Sequence, residues 1–186
     1  MGWLDKLSVE FELGEIMAMD AESFMCPLSV RLEEYGKISQ RVFRVGGSEF
    51  IAELCNIRNQ LPDEKLLLGQ SLHVQVQPNY GFGSYKYVVL TALWDNESEY
   101  NRNLFYKAYL TAFRTAINLN IKSIVVPAMG YDGNLPVSSA ALLSVIQELD
   151  ELKSSDDFSL EDIYVVSSNS IHIDYLRSHV EAALYR

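Results

Sequence analysis

Ile121-Lys-Ser-Ile-Val-Val-Pro-Ala-Met-Gly-Tyr-Asp-Gly-Asn-Leu-Pro136, followed after Val137 by Ser138-Ser-Ala-Ala-Leu-Leu143, is the stretch on which the fold turns. An apolar run rich in β-branched residues ends at Pro127, which reads as a buried strand. A short segment punctuated by Gly130 and Gly133 comes next, and helical periodicity then runs from Ser138 to Leu152. Strand, glycine loop and helix in immediate succession make a βα unit, whose strand is expected to lie parallel to its neighbours in a sheet covered by helices.

The same alternation extends outward from this unit. Upstream, Asn101 stands before Phe105, Tyr109, Ala112 and Ala116, an apolar helical face with Leu104, Ala108 and Phe113 at its sides. Downstream, Asp162-Ile-Tyr-Val-Val166 supplies another strand, and Ser170 is placed to cap a last helix toward Leu184. Towards the N-terminus, Val9-Glu-Phe-Glu-Leu13 alternates before Gly14, and Ser23-Phe-Met-Cys26 reads as a short buried strand before Pro27. Leu72-His-Val-Gln-Val76 and the apolar run from Lys86 to Leu93 are two more strands, joined through Pro78-Asn-Tyr-Gly-Phe-Gly83. Between residues 28 and 45 the signals compete. Leu32, Tyr35 and Ile38 suggest a helical face, whereas Arg41-Val-Phe-Arg-Val45 looks extended; Gly46-Gly47 then reads as a turn feeding a helix from Ser48 to Pro62. The expected architecture is a single α/β domain over 1–186, three-layered α/β/α with a mixed central sheet.

Composition narrows the function classes. The chain of 186 residues has a formal net charge of −10, and its basic residues are dispersed except for a loose group at Arg31, Lys37, Arg41 and Arg44. A protein that neutralises many phosphates needs a basic face, so bulk nucleic-acid binding is not expected, although one small phosphate-bearing ligand held by backbone N–H groups is compatible with the charge. No apolar run reaches the roughly 20 residues of a membrane span, and the N-terminus lacks a secretory pattern; a cytoplasmic protein with no membrane partner is the expectation. Cys26 and Cys55 form no CxxC pattern, and His73, His172 and His179 form no motif, so no metal site, no disulfide framework and no cofactor are expected. A dehydrogenase of the Rossmann type would require G-x-G-x-x-G in its first βα turn, which neither Gly46-Gly47 nor Gly130-x-x-Gly133 provides.

The block from Ile121 to Pro136 resembles that of the macro-domain family, α/β modules that bind ADP-ribose and related nucleotides. Gly14-Glu-Ile16 is similar to the family's Gly-Asp-Ile opening, Gly46-Gly47 to its first glycine-rich loop, and Tyr87-Val-Val-Leu-Thr-Ala-Leu-Trp94 to a further strand of it, with Thr91 on the family's threonine. The resemblance implies a pocket lined by residues 14–16, 44–48 and 128–134. In it Glu15 and the backbone of Ile16 face an adenine, while Gly46, Gly47, Gly130 and Gly133 approach a diphosphate. Tyr131 and Asp132 face the distal ribose, and Asn169 lies with Ser167 and Ser168 in the nucleoside-facing loop. Two departures stand out. Phe24-Met-Cys-Pro-Leu-Ser29 lacks the asparagine that would reach the distal ribose, and no Ser-Thr pair precedes Gly130. With Asp132 and Glu49 as the only proposed bases, the chain is expected to bind rather than hydrolyse ADP-ribosyl groups. The alternatives are a protein-interaction module that has kept the scaffold without the ligand, and an ADP-ribosyl hydrolase.

Overall fold

A computed structural model of the chain describes residues 7–130, 133–153 and 158–185. Six strands form one sheet: β1 (Ser8–Leu13), β2 (Ser23–Ser29), β3 (Ser71–Gln75), β4 (Tyr87–Trp94), β5 (Ser123–Pro127) and β6 (Asp162–Ser167). Their spatial order is β1-β6-β5-β2-β4-β3, with every pairing parallel except β3 against β4. The sheet is therefore mixed, as expected from the sequence, and the single antiparallel strand lies at an edge.

Alternation along the strands divides the core in two. Met25, Val89, Ile124, Val126, Ile163 and Val165 point to one face, where they pack under α2 (Arg102–Asn118), α3 (Leu135–Leu152) and the C-terminal α4 (Ser170–Leu176). Phe24, Cys26, Val88, Leu90, Val125 and Val166 point to the other, where Val42, Phe43, Phe50 and Leu54 of α1 (Gly36–Gln60) cover them. Successive residues of a strand project to opposite faces, so a strand buried on both sides reads as a continuous apolar run. β2, whose seven residues are all buried, is such a strand.

One segment differs from its reading in the sequence. Residues 41–45, expected to be extended, lie inside α1, because Val42 and Phe43 gain burial on the sheet face that outweighs their modest helical propensity. Gly46-Gly47 is consequently a kink within α1 rather than a turn after a strand. Gly47 has φ 76° and ψ −174°, a conformation that favours glycine, and the helix resumes immediately beyond it. The cap of α2 is as read: Asn101 Oδ1 accepts from the Leu104 N–H at 2.9 Å. For α4 the cap is Asn169, which accepts from the Ile171 N–H at 2.9 Å, one residue before the expected Ser170.

Candidate functional site

β2 and β5 are neighbours, yet the helices that follow them depart to opposite faces of the sheet, α1 to one and α3 to the other. A crevice must open at the carboxyl ends of two such strands, the usual ligand position in open α/β sheets. Here β2 pairs with β5 only through Ser23 and Phe24. Beyond them Pro27, which has no N–H to offer, borders the opening. Two adjoining cavities of about 300 and 360 Å³ occupy the crevice, with Lys37, Ile38 and Ala128 in the walls of both.

The N-terminal ends of two helices border the larger cavity. Gly36, Lys37 and Ile38 of α1 form one wall, and Gly130 with Asn134, at the start of α3, forms another. Neither helix has a capping side chain at its N-terminus. First-turn amides without an intrahelical partner, at the positive end of the helix dipole, favour an anion. The entry to α1 is fixed by Ser39, whose hydroxyl accepts from the Tyr35 N–H at 2.5 Å and donates to the Gly36 carbonyl at 3.3 Å. Tyr35, in the wall of the larger cavity, stacks on Trp94 with ring centroids 4.6 Å apart.

The loop after β5 is held from beneath. Tyr109, fully buried, donates to the Pro127 carbonyl at 3.0 Å and accepts from the Met129 N–H at 3.3 Å. Burial raises its phenol well above the ordinary range, so it acts as a neutral bridge at any physiological pH. Ser138 donates to the Met129 carbonyl. Gly130 has φ 129°, and a Cβ there would lie 2.5 Å from the Leu135 nitrogen, so only glycine allows the loop to pass so close to α3.

The smaller cavity is bounded on one side by residues 14–17 and on another by Val166, Ser167, Ser168 and His172. The Tyr85 hydroxyl donates to the Ile16 carbonyl, fixing the turn Ile16–Ala18. Glu15 is exposed, and one of its carboxylate oxygens lies 3.7 Å from Arg41 Nη2. Ser167 Oγ lies 3.2 Å from His172 Nδ1.

Of the residues singled out from the sequence, Glu15, Ile16 and Gly130 border the crevice. Gly46 and Gly47 lie outside the walls of both cavities. Gly46 is packed so closely on Phe50 and Phe82 that a Cβ would meet them at 2.5 and 2.8 Å; of residues 44–48 only Arg44 reaches a wall, and residues 36–38 border the crevice from the same helix. Glu49, beyond the kink, also lies outside both walls; its charge acts on Tyr80, whose hydroxyl donates to Glu53. The side chain of Asn169 is engaged as the α4 cap, and Gly133 lies outside both walls. Tyr131 and Asp132 fall outside the described residues. Lys37, Gln40, Arg41, Arg44 and His172 border the smaller cavity without having been singled out as site residues. The helical spacing of the first four was the signal, obscured by the extended reading of residues 41–45. Among the described residues, no three His, Cys, Asp or Glu side chains gather as metal ligands, and no helix is long and apolar enough to cross a membrane.

Comparison with known proteins places these features in context. The sequence matches the family described as Macro domain over residues 27–142. No curated protein sequence matches it. Among solved structures, the Oceanobacillus iheyensis macrodomain with MES bound superposes with a TM-score of 0.81 at 16% identity, over 98% of this chain and 95% of that one. The same macrodomain with ADP gives 0.75 at 14% identity, over 98% and 94%. The Trypanosoma brucei macrodomain in complex with ADP-ribose gives 0.74 at 14% identity, over 91% and 68%. At these identities the likeness speaks for the fold.

Proposed function

The chain belongs to the macro-domain family, and from that premise we propose that it binds ADP-ribose or a related nucleotide diphosphate in the crevice between α1 and the loop after β5. The observation that carries the reading is the convergence of the uncapped N-termini of α1 and α3 on one cavity at the switch point of the sheet. The diphosphate sits against the backbone of residues 36–38 and Gly130. The nucleoside half extends into the smaller cavity, where Glu15 accepts from an exocyclic amine and the Ile16 backbone lies beside it. The macrodomain structures with ADP and with ADP-ribose named above hold this ligand class on the same fold.

A reader fits the crevice better than a hydrolase. Among the described residues Glu15 is the one carboxylate in its walls, at the nucleoside end, and Glu49 lies beyond the kink outside them. Pro27, at the mouth of β2, presents no amide to fix a distal ribose, and loose positioning by about 1 Å removes roughly two powers of ten in rate. The open cavities also favour a ligand over the protein-interaction reading, which would have the crevice filled.

Isothermal titration calorimetry with ADP-ribose, ADP and AMP tests the proposal. Saturable binding of the two diphosphates, stronger than that of AMP, is expected; absence of saturation at millimolar ligand would exclude it. Release assays on mono-ADP-ribosylated aspartate, glutamate and arginine substrates should show little turnover.

A further inference from the structure

The face of α1 that borders the smaller cavity carries charge that the diphosphate leaves unused. Lys37, Gln40, Arg41 and Arg44 follow at i, i+3, i+4 and i+7, which places all four on one side of the helix. All four are exposed within the cavity wall. Three cations thus face a single wall carboxylate, Glu15, in a chain whose formal net charge is −10.

These cations are available to a ligand. Among the described residues Lys37 and Arg44 form no ion pair. The contact of Arg41 with Glu15, at 3.7 Å, is longer than a hydrogen bond, and the two side chains are 53% and 60% exposed. Such a pair contributes little and leaves most of the guanidinium donors open. At 1.5 Å per residue Arg44 stands about 10 Å along the axis from Lys37, so a diphosphate held at the first turn does not extend to it. What lies beside Arg41 and Arg44 in the nucleotide pose is the nucleoside.

We propose that the natural ligand carries a further phosphate on the ribose of its nucleoside half, held by Arg41 and Arg44. The inference rests on the nucleotide reading above and names the ligand within that class. Guanidinium forks match phosphate oxygens in geometry and stay charged at every physiological pH. A nucleic-acid backbone is a poorer occupant, because the stripe lies in a cavity of about 300 Å³ and the chain as a whole is strongly acidic.

The test is calorimetry on the full chain with three probes: ADP-ribose, ADP-ribose 2′-phosphate and 3′-phosphorylated ADP, with ADP as the reference for the last. One phosphorylated probe should bind roughly tenfold to a hundredfold more tightly than its parent, the worth of one or two charge-assisted hydrogen bonds, and the arm that shows the gain identifies the hydroxyl. The gain should shrink as salt is raised. In Arg41→Ala/Arg44→Ala and in the single charge reversal Arg44→Glu, both checked for folding by circular dichroism, the ratio should fall toward one. Parent ligands that bind with no gain from either phosphate overturn the inference and leave the nucleotide reading standing. A gain that persists in both variants overturns it as well, and failure of every probe to bind overturns both readings.

Discussion

Replacing Gly130 with alanine places a methyl group where backbone already stands. The added Cβ would lie 2.5 Å from the Leu135 nitrogen, 2.6 Å from its Cα and 2.8 Å from the Asn134 carbonyl carbon, whereas ordinary contact begins at 3.4 Å. All three atoms belong to the start of α3, so no rotamer change relieves them, and the loop and helix must part by about 1 Å. Holding alanine at φ 129° adds strain of about 1–3 kcal/mol. With about 1–3 kcal/mol more for overpacking, the total cost is about 2–6 kcal/mol, which for a chain of this size lowers Tm by about 4–24 °C. The same displacement moves the Gly130 wall of the crevice, and ADP-ribose affinity should fall at least roughly tenfold, the loss of one hydrogen bond to a charged group. Gly14→Ala is the control, since a Cβ there meets nothing within 4 Å; its stability should stay within about 0.5 kcal/mol of the parent. Thermal unfolding followed by circular dichroism, with calorimetry on ADP-ribose, decides the matter. A Gly130→Ala protein that melts within about 2 °C of the parent would refute the packing argument.

Tyr109→Phe removes the hydroxyl that bridges the Pro127 carbonyl and the Met129 N–H, and should cost about 1–3 kcal/mol by urea denaturation with faster hydrogen exchange at Met129; an unchanged midpoint would contradict the bridge. Glu22 accepts from Lys86 Nζ at 2.7 Å and from the Lys122 N–H at 2.6 Å, and these bonds hold its carboxyl below the ordinary value of 4.5. Its contribution to stability is fully present above that value and disappears as pH falls through the lower folded value, so the advantage over Glu22→Gln should narrow only below about pH 4.5; parallel melting curves from pH 7 to 3 would exclude it. Asn101→Ala deletes the α2 cap and should lower stability by about 1 kcal/mol in thermal melts, while Asn101→Asp keeps most of it.

The parts of the fold that read correctly are those in which local pattern and tertiary environment agree. Ile124, Val125 and Val126 are β-branched and buried on both faces, so propensity and burial gave one answer. Asn101 before an apolar helical face is likewise a purely local signal. Residues 41–45 failed because Val42, Phe43 and Val45 favour a strand in isolation, while packing of Val42 and Phe43 on β2 and β4 makes them helical. Gly46-Gly47 reads in the sequence as a turn before a helix from Ser48, whereas the helix already begins at Gly36 and Gly47 is a kink within it. Gly130, read from the Ile121 to Pro136 block, borders the crevice, and its signal is local: a glycine between a buried strand and a helix start reports a close backbone approach. Nothing local marks Tyr109 or Tyr85 as supports for the walls, since their partners Met129 and Ile16 are distant in sequence.

The pairing of β1 with β6 bears on how the protein is made. Ser8 aligns with Asp162 and Leu13 with Ser167, and the Gly14 N–H donates to the Ser167 carbonyl at 2.9 Å. On the ribosome the first strand therefore emerges long before the strand beside which it will lie has been translated. Non-local pairings of this kind form late, because the chain must first close a long loop. Until then neither edge of β1 is paired, and one stays open in the finished sheet, where β1 is the outermost strand; charged residues such as Glu10 and Glu12, set among its apolar residues, oppose pairing of such an edge with other strands. The wall at residues 14–17 hangs from the end of this strand. The crevice is consequently finished only after β6 has been translated, and no nascent chain that stops short of Ser167 contains it.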